Sequence, residues 1–254
     1  MLNPVAKDML PRVRIQLTTE ENAWLSAGFD AIRSSNDAVN ELLNISVGVK
    51  RKIKSAVSLD ELPLCEASEI VRIILLIDTL LCHSNLPISQ LVKDYYQYGD
   101  SQEKCALIKG LFLLDSEGLA VNTAVRASRC NSVDEFAALA LHNPYPSTHF
   151  EVLNFNQLVL KALHQGLNIE NVIGLQSRSN DVLNNMCFSY VIEQALAERI
   201  PPASIWSAIQ VNALEAEHKA VFSQYARHFA ARDEAHKQGL ERLIESQAIE
   251  DVTI

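Results

Sequence analysis

From Ile70 to Cys82 an apolar run carries just two charged residues, Arg72 and Asp78, and over Glu66–Cys82 apolar residues fall on almost every face of a helix. A helix that is apolar all round is enclosed, either by other helices or by lipid. Two charges and a length short of the ~20 apolar residues that span a bilayer exclude lipid. This one segment therefore requires a multi-helix core built around it.

The rest of the chain supplies the neighbours. Thr18 and Glu21 stand at capping-box spacing ahead of Trp24, Leu25, Phe29 and Ile32, which predicts a first helix over about 19–34. Asn36 or Asp37 starts a second helix with Val39, Leu42, Leu43 and Ile45, and the basic residues Lys50, Arg51, Lys52 and Lys54 complement the dipole at its end. His83–Pro87 breaks the chain, and short helices follow over about 88–98, 101–115 and 117–128. Ser132 and Glu135 form another capping box before Phe136, Leu139 and Leu141, and Asn143-Pro144 ends that helix. Longer helices are predicted over about 148–166 and 178–199, and a charged helix or bent pair over about 203–246, beyond Pro201-Pro202. Val13–Leu17 reads as a short extended lead-in, and no run of alternating residues argues for a sheet.

Short connections make neighbouring helices antiparallel. The predicted fold class is all-α: an irregular, solenoid-like array of stacked antiparallel helices, with a compact multi-helix bundle as the alternative. Eight Gly and eight Pro in 254 residues fit a helical chain better than a turn-rich one.

With 48% hydrophobic and 21% charged residues the chain is globular and not disordered. A formal charge of -9 opposes the phosphate neutralisation that drives nucleic-acid binding, so no nucleic-acid partner is expected. Cys65, Cys82, Cys105, Cys130 and Cys187 form an odd set without a C-x-x-C pair, which suits a reducing compartment. The first residues do not follow the pattern of a secretory signal. A cytoplasmic location without membrane insertion is the expectation.

The most distinctive text is Asn143-Pro144-Tyr145-Pro146, then His149-Phe150, then Phe155-Asn156-Gln157-Leu158-Val159-Leu160-Lys161-Ala162-Leu163, then Val172-Ile173-Gly174-Leu175-Gln176-Ser177-Arg178-Ser179-Asn180. With Leu183, Met186, Tyr190, Glu193, Arg199 and Trp206, this stretch resembles the EboA family over about 143–206. Asn185, Ser189 and Gln194 depart from that pattern, standing where Arg, Asp and Arg are expected. The resemblance implies a cytosolic product of a gene cluster that also encodes a prenyltransferase-like membrane protein, a dehydroquinate-synthase-like enzyme and a metal-dependent-hydrolase-like protein. It further implies a part in moving secondary metabolites towards the periplasm, and it brings no assigned reaction. The organisation expected is a single all-helical domain over 1–254, with the EboA-like core at 143–206 and a charged C-terminal helical segment at 203–246.

On a helix, Glu151, Asn154, Gln157, Lys161 and His164 form one polar stripe suited to a groove wall, with Leu153, Phe155, Val159, Ala162 and Leu163 opposite. Asn156 falls among apolar neighbours and needs an internal partner, either a neighbouring helix or the Asn-Pro-Tyr-Pro turn. Asn143, Asn156 and Asn180 are read as structural polar residues. Tyr145, His149, Gln157, Lys161, Arg178 and Tyr190 are the candidates for binding a ligand or partner. Lys161 and Arg178 suit a phosphate or carboxylate, or else pair with Glu151 or Glu193.

Glu215-x-x-His218 and Asp233-x-x-His236 have the local spacing of helical di-metal sites. Both fall on one predicted helix, whereas a shared centre needs several, so they read as a solvated charged face and no metal or other cofactor is expected. His142 and His149 flank the turn and read as hydrogen-bonded to nearby carbonyls. No nucleophile elbow and no phosphate-binding glycine loop is present, and the apolar setting of Cys187 disfavours a reactive thiol. The expected function is a non-catalytic helical binding module whose partner is a protein or a small hydrophobic or anionic metabolite, with homo-oligomerisation left open. The alternative is an enzyme acting on an anionic isoprenoid or phosphorylated metabolite through a groove lined by Lys and Arg.

Overall fold

The structure is a computed structural model and describes residues 1–249. Among the described residues the chain is all-helical, with no strand. A 3-10 segment at Pro4–Asp8 leads into α1 (Met9–Arg14), α2 (Thr19–Ser34), α3 (Ala38–Lys52), α4 (Ala67–Cys82), α5 (Ile88–Tyr98), α6 (Ser101–Leu114), α7 (Val121–Ala127) and α8 (Val133–Ala140). Then come α9 (Pro144–His149), α10 (Val152–His164), α11 (Asp181–Leu196), α12 (Ala216–Ala230) and α13 (Glu234–Ser246). Further 3-10 segments lie at Ile169–Asn171, Ala203–Ala208 and Val211–Ala213. Two compact units divide the chain, Met1–Leu139 and the residues from Ala140 onward.

In the first unit α4 is enclosed as its sequence requires. It is buried continuously from Ser68 to Thr79 and packs on α1, α2, α3 and α6. Asp78 escapes isolation by an ion pair with Arg33 at 2.7 Å. Gly110 of α6 explains the closeness of one neighbour, because a Cβ there would lie 2.7 Å from Cγ1 of Ile73. Among the described residues no helix is long and apolar enough to cross a membrane.

The predicted capping box of α2 is formed, and Glu21 does more than cap. Its carboxylate also accepts from the backbone N–H groups of Lys54 and Ser55 and from the Ser55 hydroxyl, which ties the end of α3 to the start of α2. Burial raises the pKa of this carboxyl, but the donors converging on it outweigh burial and hold it at about 2. Lys50, Arg51 and Lys52 occupy the last turn of α3, where the helix dipole favours them.

Two boundaries differ from those read in the sequence. Val13–Leu17 is not extended: Ile15 is 84% exposed, and the buried set Ala6, Met9, Val13 and Leu17 follows helical spacing. The helix expected over 148–166 is two helices. Asn143 caps α9 and Pro144 sits in its first turn, so the Asn-Pro pair starts a helix, and extended geometry at Phe150 and Glu151 separates α9 from α10. The charged segment 203–246 takes the bent-pair form of the reading, because Asp233 caps a new helix by accepting from the backbone N–H of His236.

Candidate functional site

In the second unit the segment 171–180 closes around α9. The backbone N–H of His142 donates to the Asn171 carbonyl at 2.8 Å. Gly174, at φ +83°, lies so close to Ser147 that a Cβ would sit 2.0 Å from its Oγ. The two Nη atoms of Arg178 donate to the carbonyls of Ser147 and Phe150, each at 2.6 Å, and the guanidinium lies 4.8 Å from the centre of the Phe155 ring. These carbonyls belong to the end of α9, which has no intrahelical donors for them. Asn180 caps α11 and exchanges two side-chain hydrogen bonds of 3.0 Å with Asn156, so the buried amide of α10 is paired. Together these contacts clasp α9, α10 and the start of α11.

A groove of about 460 Å³ opens beside the clasp. Leu160 and His164 of α10 line it, as do Val182, Asn185, Met186, Ser189, Tyr190 and Glu193 of α11. The α11 residues recur at intervals of three and four and so share a face. Glu215 and His218 at the start of α12 complete the lining. Tyr190 is buried and its ring lies 4.4 Å from that of His164. Burial, with Glu193 adding, pushes the Tyr190 phenol above its ordinary pKa.

The polar floor is ordered. Asn185 Nδ2 donates to the Asp181 carbonyl at 2.8 Å, which places Oδ1 towards α12. That oxygen accepts from the backbone N–H of Glu215 at 3.0 Å and from His218 Nδ1 at 2.8 Å. His218 therefore carries its proton on Nδ1, and Nε2 is left as an acceptor, 3.4 Å from the Ser189 hydroxyl. Phe188 meets the imidazole edge-on at 5.3 Å between ring centres.

A second cleft, of about 750 Å³, lies between Trp206, Gly239, Leu243 and neighbouring polar residues. Two of its amides are engaged. Gln247 accepts from the Val211 N–H and donates to the Ile209 carbonyl, and Gln176 donates to the Ser207 carbonyl. An ion pair of 3.2 Å between Arg242 and Glu170 stands at its edge. The smaller groove is the one that carries Glu193, Glu215 and His218 in its lining.

The family model described as metabolite traffic protein EboA matches residues 7–210. The chain belongs to the EboA family. No curated protein and no solved structure matches it. The family match reaches far beyond 143–206 and takes in most of the first unit.

Set against the EboA resemblance, the motif residues fall largely in the clasp: Asn143 as a cap, Gly174 against Ser147, Arg178 on two carbonyls and Asn180 on Asn156. The Asn156 partner is the cap of α11 and not the Asn-Pro-Tyr-Pro segment. Arg178 serves backbone carbonyls, not Glu151 or Glu193; Glu193 instead meets Arg199 at 3.6 Å. Tyr145 is fully buried, and His149 packs its ring 4.6 Å from it. Gln157 is exposed and Lys161 half-buried on α10. Of the six binding candidates, Tyr190 is the one that lines the groove. Leu153, expected on the face opposite the polar stripe with Phe155 and Val159, is instead 61% exposed in the first turn of α10.

The two acidic-x-x-His pairs lie on separate helices. Asp233 is a cap, and His236 is buried instead of solvated: it accepts from Trp206 Nε1–H at 2.9 Å and donates from Nε2 to the Pro201 carbonyl at 2.8 Å. Cap-to-third-residue spacing is a sequence signal that also describes an Asp-x-x-His pair. Among the described residues no group of three or more His, Cys, Asp or Glu is placed to hold a metal ion. The groove residues Asn185, Ser189 and His218 were legible only singly, because they come from two helices that sequence spacing does not bring together.

Proposed function

We propose that this EboA-family chain is a non-catalytic binding module, an accessory in metabolite traffic, that holds a small metabolite in the groove between α10, α11 and α12. The observation that carries this reading is the groove's composition. Apolar surface from Leu160, Val182, Met186 and Tyr190 surrounds a few oriented polar groups, the usual make-up of a small-molecule site. Gln157 lies on the same helix as Leu160 and His164 and is proposed to contact the ligand at its exposed end, whereas Lys161, half-buried on that helix, does not line the groove.

Ser189, His218 and Asn185 stand in the order nucleophile, base and orienting group, which invites comparison with a hydrolytic relay. The helix argues against that use. Ser189 lies in the middle of α11, where helical bonds consume the surrounding backbone N–H groups, so they are not available to an acyl oxyanion. The neighbouring Cys187 is inert as well, since burial pushes its thiol up to about 12. The alternative of an anionic isoprenoid or phosphate substrate has little support, as Arg178 is engaged in the clasp and neither Lys nor Arg lines the groove.

Native mass spectrometry of the protein purified from its own host tests the proposal. The wild-type chain is expected to carry a small molecule that is lost on denaturation. Ser189→Trp fills the groove from an exposed position on α11, so it should melt like the wild type and arrive empty. An empty wild-type protein, or equal retention by both, contradicts the proposal.

A further inference from the structure

The ten residues that line the groove include two carboxylates, Glu193 and Glu215, and neither lysine nor arginine. Beyond its apolar walls, the chemistry it presents is dominated by acceptors. His218 is held by Asn185 with Nδ1 protonated, which leaves the Nε2 lone pair beside Ser189. Glu215 accepts no side-chain capping bond from its own helix, so its carboxylate is not consumed as a cap. Among the described residues Glu193 pairs with Arg199 at 3.6 Å, with both side chains 61% exposed, a geometry in which the attraction is weak.

From this we infer that the groove selects a cationic ligand, an ammonium group on an apolar body, and disfavours carboxylates and phosphates. The inference rests on the groove being the binding site and specifies its ligand class. The apolar body packs on Leu160, Val182 and Met186 while the ammonium donates to Glu193 and Glu215, beside the Nε2 edge of His218. An anion in that position would meet two like charges and an acceptor nitrogen, with no compensating donor from a basic side chain lining the groove.

The chain contains three methionines, at positions 1, 9 and 186, and the last alone lines the groove. A protein labelled with 13C at the methionine methyl groups therefore carries one groove reporter, assigned by its loss in Met186→Leu. Three probes with one body and different heads are titrated: 4-phenylbutylamine, 4-phenylbutanol and 4-phenylbutyrate. The amine is expected to move the Met186 methyl signal at the lowest concentration and to bind about five- to tenfold more tightly than the carboxylate, as two partly exposed charges allow, with the alcohol between. In Glu193→Gln/Glu215→Gln the amine and carboxylate should converge. If the carboxylate binds as well as the amine, or the preference survives the double substitution, the ligand class is wrong while the groove stands. If none of the three probes moves the Met186 signal, the groove itself is not the binding site.

Discussion

Gly174→Ala is expected to lower the stability of the chain by about 3 kcal/mol. Of this, ~1–2 kcal/mol comes from holding an L-residue at positive φ and ~1–3 kcal/mol from forcing a methyl group into occupied space. The space is occupied by Ser147, whose Oγ and Cβ lie 2.0 and 2.7 Å from the position of the new Cβ. Neither partner moves freely, since the Ser147 carbonyl is held by Arg178 and the Gly174 carbonyl accepts from the Arg178 N–H at 2.8 Å. Ser147→Gly removes both offending atoms and keeps the carbonyl. In the double variant the packing share should therefore be recovered and the backbone share should remain, giving a coupling of about 1–3 kcal/mol in urea melts of the four proteins. Additivity within ~0.5 kcal/mol shows that the two residues do not meet as described.

The second large effect concerns Trp206. It is buried, with edge-on contacts to Phe222 and Phe229 at 6.3 Å and its indole N–H on His236. Trp206→Ala is expected to cost about 3–5 kcal/mol through lost burial and an unfilled cavity. The same cluster gives the chain an acid-sensitive element. Burial lowers the pKa of His236 below its ordinary 6.5, and the bond to the Pro201 carbonyl and the charge of Asp233 only partly oppose this. The unfolded chain therefore binds a proton at His236 more readily than the folded one. The stabilisation is complete above pH 6.5 and is lost as pH falls from there through the lower folded value, with a slope of at most about 1.4 kcal/mol per pH unit for this one group. The structural reason is that a proton on Nδ1 would face the indole N–H of Trp206. Urea melts across this window are expected to show the slope in the wild type and a smaller one in His236→Gln, which cannot titrate. Equal slopes would falsify the assignment to His236.

The sequence reveals the helices more readily than it reveals the contacts between them. Thr18 with Glu21, the Asn180 cap and the apolar circumference of α4 are local signals, and local signals set the helices and most of their ends. Asn143-Pro144 reads as a stop, yet the same pair is also a start, because a proline that excludes helix before it is well suited to the first turn after it. The Asn156 pairing could be anticipated as a need but not as a partner, since Asn180 lies 24 positions away. Arg178 looked like a ligand-binding cation because nothing in its local sequence reveals that the end of α9 presents two carbonyls to it. The groove was the least legible feature. Its acceptor geometry comes from Asn185 on one helix orienting His218 on another, 33 positions along the chain.

The division of labour between clasp and groove can be tested by hydrogen exchange of the purified chain with and without a small-molecule extract of its host. The extract is expected to slow exchange in α11 around Val182–Glu193 and at the start of α12 around Glu215–His218. Segments 171–180 and 239–247 should be unchanged. Protection confined to the Trp206 cleft, or to the clasp alone, would place the ligand elsewhere and contradict the proposed site.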